Sequence, residues 1–530
     1  MNLTQTAVAR PAALSFSPLR AVLPSLGDFA WLMPLLFLFG RMNGAPGLLG
    51  DGDTGWHIRT GEWILAHGQV PWADPFSFTR PGEPWYAWEW LSEVLMAALH
   101  QAGGMQAVLL GSMLLICLTF FLLYRLVVRS SGSPLIAFAL TTVAAGGAAI
   151  HWLARPHLFT MLSVVIFCSV LERRKMKLLW LLPLLTVLWT NLHGGFIAGI
   201  LVTSAWAAGE AAGALLARDR DARSVALRRG ACYALTAAAC LAASLVNPYG
   251  WRLHQHVAAY LTNPAYFETI AEFLSISFRH PLAPFFEVML MLSIAAAFWN
   301  VIQGRFVPVF LLAGWAHLAL LSIRNIPLFM LIAAPPVGAA MAEWLARTGE
   351  STAGTPVHWL YRRVMGLSCR LTRTDHGPHW YVAGPVCLLL LGRAMYGPAP
   401  APPLQAEYDP RHYPVAALSA LGPADRIFTS DTWGGYLIYR RYPAKVFVDG
   451  RSDFYGPAFE KQYSDVMGAK YNWQAVLVSH GVDTVLLPAD AALSGVLKAS
   501  SGWQTVYDDG SALVFRSRSV SADGPGAVSH

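Results

Sequence analysis

Asp51-Gly52-Asp53-Thr54-Gly55-Trp56-His57 sets two carboxylates and an imidazole within seven residues, directly after the apolar run 31–40, and Glu62 follows. A carboxylate beside a membrane–water boundary is partly desolvated, which raises its pKa and makes it a better general base near neutral pH. Asp53 is the first choice for that base and Asp51 the alternative or assisting group. His57 lies one helical turn after Asp53, in reach of a shared proton or ion. Asp51, Asp53 and His57 together could hold Mg²⁺ or Mn²⁺ through oxygen and imidazole. The plainer alternative is a solvated loop in which Asp53 or Thr54 caps a helix. Ionisable groups held at membrane depth are costly unless paired or used, which favours the catalytic reading.

The elements that position these groups are membrane spans. The chain has 530 residues, 55% hydrophobic and only 13% charged, with a mean hydropathy of +0.43. Soluble domains carry about 25% charged residues, so the composition is that of a polytopic α-helical membrane protein. About eleven candidate spans can be placed, near 24–41, 105–127, 134–152, 156–172, 177–191, 195–215, 227–246, 284–301, 306–322, 325–345 and 380–397. The first is read as a retained span rather than a cleaved leader. Basic clusters fall between them: Arg125 and Arg129; Arg173, Arg174, Lys175 and Lys177; Arg218 to Arg229; Arg305; and Arg347 to Arg373. All lie on one side if the N-terminus is cytoplasmic. The net charge of +7 is thereby accounted for by loops that set orientation, and nucleic acid is not an expected partner. The six cysteines match neither a disulfide framework nor a zinc site.

The opposite, outer face collects the unusual polar residues: the Asp51–His57 loop, Arg155 and His157, Asn191 and His193, Asn247 to Trp251, and Arg324 with Asn325. Arginine stays charged and can bind two oxygens of an anion at once; Arg155 and Arg324 are the candidates. The alternative for each is snorkelling to lipid headgroups. His157 and His193 are candidates for binding hydroxyls or an anion, or equally for capping helices. In the long first outer loop, 42–100, Trp56, Trp63 and Ile64 form a stripe at helical spacing. The expectation is a helix lying in the membrane plane, the alternative a small cap with tryptophans in its core.

After the proline-rich stretch 398–403 the composition shifts. Strand-like runs at 426–429, 445–448, 483–487, 504–507 and 512–515, separated by helical patterns at 463–470 and 474–480, predict a small extracytoplasmic α/β domain over 399–516. The membrane domain is then 1–398 and a disordered tail 517–530. Asp449-Gly450-Arg451-Ser452-Asp453 follows one run, either as a ligand-binding loop or, with slightly more weight, as an ordinary turn.

Several local sequences resemble a bacterial group of GT-C-like membrane proteins: Asp53 to Ile58, Asp74 to Thr79, Trp88 to Glu93, Trp189 to Gly195, Gly434 to Leu437 and Val448 to Arg451. The GT-C superfamily of glycosyltransferases includes protein O-mannosyltransferases, oligosaccharyltransferases and lipid A aminoarabinose transferases. The resemblance implies transfer of a sugar from a polyprenyl-phosphate carrier to an acceptor at the outer face of the bacterial cytoplasmic (inner) membrane, with membrane lipids as surroundings. An acidic residue of the first outer loop would serve as base or hold a divalent metal, a place that Asp51 and Asp53 match. Glu89, inside one of the matching motifs, joins His57, Arg155, His157, His193 and Arg324 as a substrate-binding candidate. The loop lacks the paired Asp-Glu pattern of the protein mannosyltransferases, which argues against a protein acceptor. Two other classes share the outer polar cluster, a transporter or flippase of a lipid-linked saccharide and a non-catalytic envelope assembly protein. Transporters favour internal repeats and mid-span charges, and neither is evident.

Overall fold

The computed structural model describes residues 24–351, 355–375, 381–423 and 425–518. A helix stands at each of the eleven predicted span positions. Six are long and apolar enough to cross a membrane: Trp90–Ser131, Pro134–His151, Gly194–Leu216, Arg220–Ala243, Ala283–Ile302 and Ile323–Gly349. His157–Leu171, Met176–Leu192, Phe306–Leu321 and Ala383–Met395 are apolar but shorter. By length and composition, then, six helices among the described residues suffice to cross a membrane, and the count of eleven spans is not confirmed. The Trp90–Ser131 helix bends sharply at Gly103 and Gly104. Gly104 takes φ 66°, where a side chain is strained. The bend separates a short N-terminal arm, 90–102, from the apolar shaft behind it.

The C-terminal region holds a four-stranded sheet made of β1 (Ile427–Thr429), β2 (Thr484–Pro488), β3 (Trp503–Asp508) and β4 (Ala512–Ser517), in the order β1-β2-β4-β3. β1 and β2 run parallel, joined through the helices Asp431–Arg441, Ser452–Met467 and Trp473–Ser479, as a parallel pair requires a crossover. Side chains alternate between the sheet faces. Val485, Leu487, Leu513 and Phe515 pack with Tyr455, Phe459 and Leu477, while Ile427, Leu486 and Val514 join the large core shared with the apolar helices. β4 extends to Ser517; the remainder of the predicted tail, 519–530, lies outside the described residues.

Two expectations change. The run 445–448 is not a fifth strand of this sheet; Val446 instead bridges in parallel to Ser77 of the first outer loop. The cause is the adjoining Asp449-Gly450-Arg451, which is not an ordinary turn. Arg451, 2% exposed, donates to both oxygens of Asp449 at 2.7 Å and lies 2.9 Å from Asp74 of the outer loop. Its guanidinium also sits 4.5 Å from the Trp85 ring centre. A buried cation with two carboxylate partners draws both segments together. The helix Asp53–His67 is the second change. Residues 53–58 are all buried, packed between the 90–102 arm and the Asp431–Arg441 helix, so the first part of this helix is core rather than an exposed stripe. Its tryptophan Trp56 is 6% exposed.

Candidate active site

The helix begins at Asp53, leaving its first N–H groups without helical partners. Asp51 Oδ1 accepts from the Asp53 N–H at 3.1 Å, so the capping expected of Asp53 or Thr54 falls to Asp51. Thr54 Oγ1 donates to the Ala154 carbonyl at 3.1 Å, and the Ala154 N–H donates to the Leu48 carbonyl at 2.8 Å. These bonds fasten the 152–156 turn to the outer loop and set Arg155 among acids. Its guanidinium lies 2.8 Å from Asp51, 3.0 Å from Asp53 and 2.8 Å from Glu272. Glu272 was not legible in the sequence: it belongs to no motif and reaches the site only through the fold.

Asp53 is fixed on its other oxygen too, Oδ1 accepting from Trp56 Nε1 at 3.0 Å. Backbone crowding completes the setting. A Cβ on Gly435 would come within 2.6 Å of the Gly52 carbonyl oxygen, and one on Gly450 within 2.1 Å of Asp53 Oδ1. Only glycine lets the C-terminal motifs approach this closely. Burial pushes the Asp53 carboxyl up to about 7, against the opposing pull of Arg155. Glu272 goes the other way: burial disfavours its charge, but Arg155, His151 and Arg324 outweigh it and hold it below the usual carboxylate range.

His57 does not share its proton with Asp53. Its Nδ1 lies 3.2 Å from Glu93 Oε1 and its Nε2 3.6 Å from Glu89 Oε2, because Asp53 has turned to Arg155 and Trp56. Glu89 Oε1 is 3.2 Å from His193 Nε2. His193 Nδ1 accepts from the Gly195 N–H at 2.9 Å and lies 2.8 Å from Thr160 Oγ1, which itself accepts from Trp189 Nε1 at 2.8 Å. An N–H cannot accept, so the His193 proton sits on Nε2 and points at Glu89. Ser92 donates to the Leu192 carbonyl at 2.5 Å and Trp90 Nε1 to Asn191 Oδ1 at 2.8 Å, holding the His193 turn against the 90–102 arm. Burial pushes Glu89 up to about 8, His193 down to about 3, and His57 well below the usual histidine range.

His157 Nε2 donates to the His151 carbonyl at 2.7 Å, and its ring centre is 6.5 Å from that of His193; it packs behind the cluster. Arg324 lies over the Phe273 ring at 4.7 Å, and its charge acts on Glu89, Glu272 and His193. The proposed metal ligands do not converge. A guanidinium stands between Asp51 and Asp53, His57 faces other acids, and among the described residues no group of three or more His, Cys, Asp or Glu side chains is arranged for an ion. The geometry therefore gives two adjoining acid clusters, one neutralised by Arg155 and the other bridged by imidazoles.

No protein-family model matches the sequence and no curated protein matches it. Among solved structures, the apo oligosaccharyltransferase of Archaeoglobus fulgidus superposes with a TM-score of 0.53 at 13% identity, covering 88% of this chain and 69% of that one. The oligosaccharyltransferase AglB from the same organism, in complex with an inhibitory peptide and a dolichol-phosphate, also gives 0.53 at 13% identity, covering 94% and 74%. ArnT from Cupriavidus metallidurans superposes more loosely, at 0.44 and 14% identity over 94% and 98%. At such identities the likeness concerns the fold alone, and the fold of this chain is GT-C-like.

Proposed function

We propose that this protein is a membrane glycosyltransferase that moves a sugar from a polyprenyl-phosphate-linked donor to an acceptor at the outer face of a bacterial cytoplasmic membrane. The observation that carries this reading is the desolvated Asp53 carboxylate, held by Arg155 and Trp56 at the start of the Asp53–His67 helix in a GT-C-like fold. In this reading Asp53 is the general base, Asp51 assists, and Arg155 holds the base in place, its single charge already facing three acids. Arg324 is left for the leaving phosphate, with Glu89, His193, His57 and His157 lining the substrate side. An open, mostly apolar groove of about 540 Å³, lined by Trp90, Leu184, Leu188, Val246 and Pro248 with Asn191 and Asn247, starts beside the Trp90–Asn191 bond and suits a lipid tail. A lipid-linked donor is also consistent with the dolichol-phosphate bound to AglB. No step is assigned to a metal ion, since Arg155 occupies the space between Asp51 and Asp53. The test is lipid-linked sugar transfer in membranes, comparing the parent with an Asp51→Asn/Asp53→Asn double variant. Equal transfer in both removes the enzyme reading.

Two further outcomes follow from the assignment. With the N-terminus cytoplasmic and the 399–516 domain external, a membrane-impermeant thiol reagent added from outside should label a cysteine placed at Ser430 and miss one at Arg220. The reverse pattern would put the carboxylates on the wrong side for an outer-leaflet donor. Arg324→Ala should lower donor binding or turnover by at least tenfold while expression is kept, and Arg324→Lys should recover only part, lacking the two-pronged geometry. Parent-level transfer by the alanine variant removes Arg324 from the site.

A further inference from the structure

Beside the acid clusters stands an aromatic wall. His256, on the Trp251–Thr262 helix, stacks on the Tyr86 ring at 4.6 Å and lies 5.1 Å from the Trp88 ring. Trp88 is 6.1 Å from Tyr260, Tyr260 is 5.5 Å from Phe273, and Arg324 sits over Phe273 at 4.7 Å. The wall therefore runs from the 42–100 loop to the cation assigned to the leaving phosphate. Its other end is closed by Asp453, whose Oδ2 accepts from His256 Nε2 at 2.9 Å. Tyr266, 4.8 Å from Tyr260, donates to the Ser452 carbonyl at 3.2 Å and ties the same C-terminal segment to the wall. The charges of Asp453 and Arg324 both act on Glu89 and on Tyr260, so acid and cation serve one neighbourhood. Tyr86, Trp88, His256, Tyr260 and Asp453 are half-buried, open in part to solvent. The rings of His256 and Tyr260 are inclined to Trp88 by 69° and 70°, so neither lies flat against it. Among the described residues, Trp88 Nε1 and Asp453 Oδ1 have no hydrogen-bond partner.

We propose that this wall is the subsite for the donor sugar, a pyranose joined to the lipid phosphate, and that Trp88 and Asp453 govern its recognition. This rests on the glycosyltransferase reading above and deepens it. A pyranose is amphipathic: its axial C–H groups form an apolar face, and its hydroxyls stand around the rim. An indole offers a matching flat apolar face with one N–H at its edge, and a carboxylate oxygen accepts from hydroxyls. Trp88 therefore supplies the stacking face and a donor, and Asp453 Oδ1 supplies the acceptor. Arg324 holds the phosphate bonded to the same sugar. His256 is a positioning residue. Its ring is fixed by Tyr86 and Trp88, and its Nε2–H engages one Asp453 oxygen, which leaves the other for a sugar hydroxyl. The occupant is the donor sugar rather than a saccharide acceptor, because the wall ends on the cation assigned to the phosphate and only the donor sugar is bonded to that phosphate. The C-terminal domain thereby takes part in recognition: Arg451 fastens its segment to the 42–100 loop through Asp74, and Asp453 meets the ligand.

The experiment measures binding of four probes to the purified full chain: polyprenyl phosphate alone, and polyprenyl phosphate carrying glucose, mannose or N-acetylglucosamine. Stacking reads the C–H face that pyranoses share, so the parent should bind at least one sugar-bearing probe about tenfold or more tighter than the bare phosphate. Trp88→Ala and Asp453→Ala should each remove most of that preference and leave the affinity for bare polyprenyl phosphate nearly unchanged, which also shows that they fold. Arg324→Ala should weaken all four probes alike. His256→Ala should lower the sugar preference without touching phosphate affinity, and His256→Gln, which can still donate, should recover part of it. If Trp88→Ala or Asp453→Ala does not fold, Trp88→Phe and Asp453→Asn decide on the same criterion. A parent without preference among the probes overturns the proposal, as does a preference unchanged in either variant or an equal weakening of all four probes. If the variants lose the preference as expected but the parent transfers no sugar, the function assigned to the chain fails and the sugar subsite stands. Transfer with an unmoved preference is the reverse result.

Discussion

Asp53→Asn is expected to fold, to keep its affinity for the lipid donor, and to lose turnover by about 10²–10⁴-fold, the usual cost of removing a general base. Asparagine preserves the size and can still accept from Trp56 Nε1 (3.0 Å in the parent), but it removes the proton acceptor together with the ion pair to Arg155. The pH dependence sharpens the test. Burial pushes the Asp53 carboxyl up to about 7, and the base works only when ionised. The parent rate should therefore rise as pH passes upward through about 7, and the residual rate of Asp53→Asn should lack that rise. If Asp53→Asn transfers normally while Asp51→Asn is inactive, the base is Asp51. If both are fully active, the loop has no catalytic role.

Arg155→Ala should be nearly as damaging for a different reason. Its guanidinium answers Asp51, Asp53 and Glu272, and deleting one partner of a buried pair costs about 3–5 kcal/mol because the remaining charges are left uncompensated. These side chains are 12–28% exposed, so the loss of stability should fall at or below the lower end of that range. The effect on the reaction should be larger. With the cation gone, three carboxylates repel one another, the Asp53 proton is held more tightly, and the acid limb of the rate profile moves to higher pH. Turnover near neutral pH should drop by at least about 10²-fold. Arg155→Lys keeps the charge but loses the fork that reaches several acids, and should recover only part. Because the guanidinium fills the gap between Asp51 and Asp53, the parent should keep its transfer rate after treatment with a chelator of divalent ions. A chelator-sensitive parent, or an Arg155→Ala variant with an unshifted pH profile, would show that the clamp does not set the base.

The positions of the helices were readable from hydropathy alone, since an apolar run of about 20 residues has few other destinations. How many cross is less readable, because several of those helices are short and Leu26–Arg41 spans only 16 residues. The candidate residues were readable for a related reason: an ionisable group at the edge of an apolar segment stands out. That is how Asp51, Asp53, Arg155, His193 and Arg324 were singled out from sequence, and the fold does bring Asp51, Asp53 and Arg155 into contact.

Pairing was not readable. Helical spacing put His57 beside Asp53, but spacing along one helix is silent about what the facing elements offer. Arg155 arrives on a separate turn and takes the Asp53 oxygen at 3.0 Å, while the 90–102 arm offers His57 two carboxylates instead. Glu272 had no sequence signal as a site residue, and Glu93, though inside the Trp88–Glu93 motif, had none of its own, since a lone glutamate acquires meaning only from a distant partner. The same holds for Asp449-Gly450-Arg451, whose local pattern is that of a turn and whose buried ion pair with Asp74 joins segments far apart in the chain. The sequence by itself therefore determined a helical membrane protein with an acidic loop after its first apolar segment, because hydropathy and charge act locally. Only the tertiary structure decided which acid is neutralised by which base, because burial and ion pairing depend on segments that meet in space.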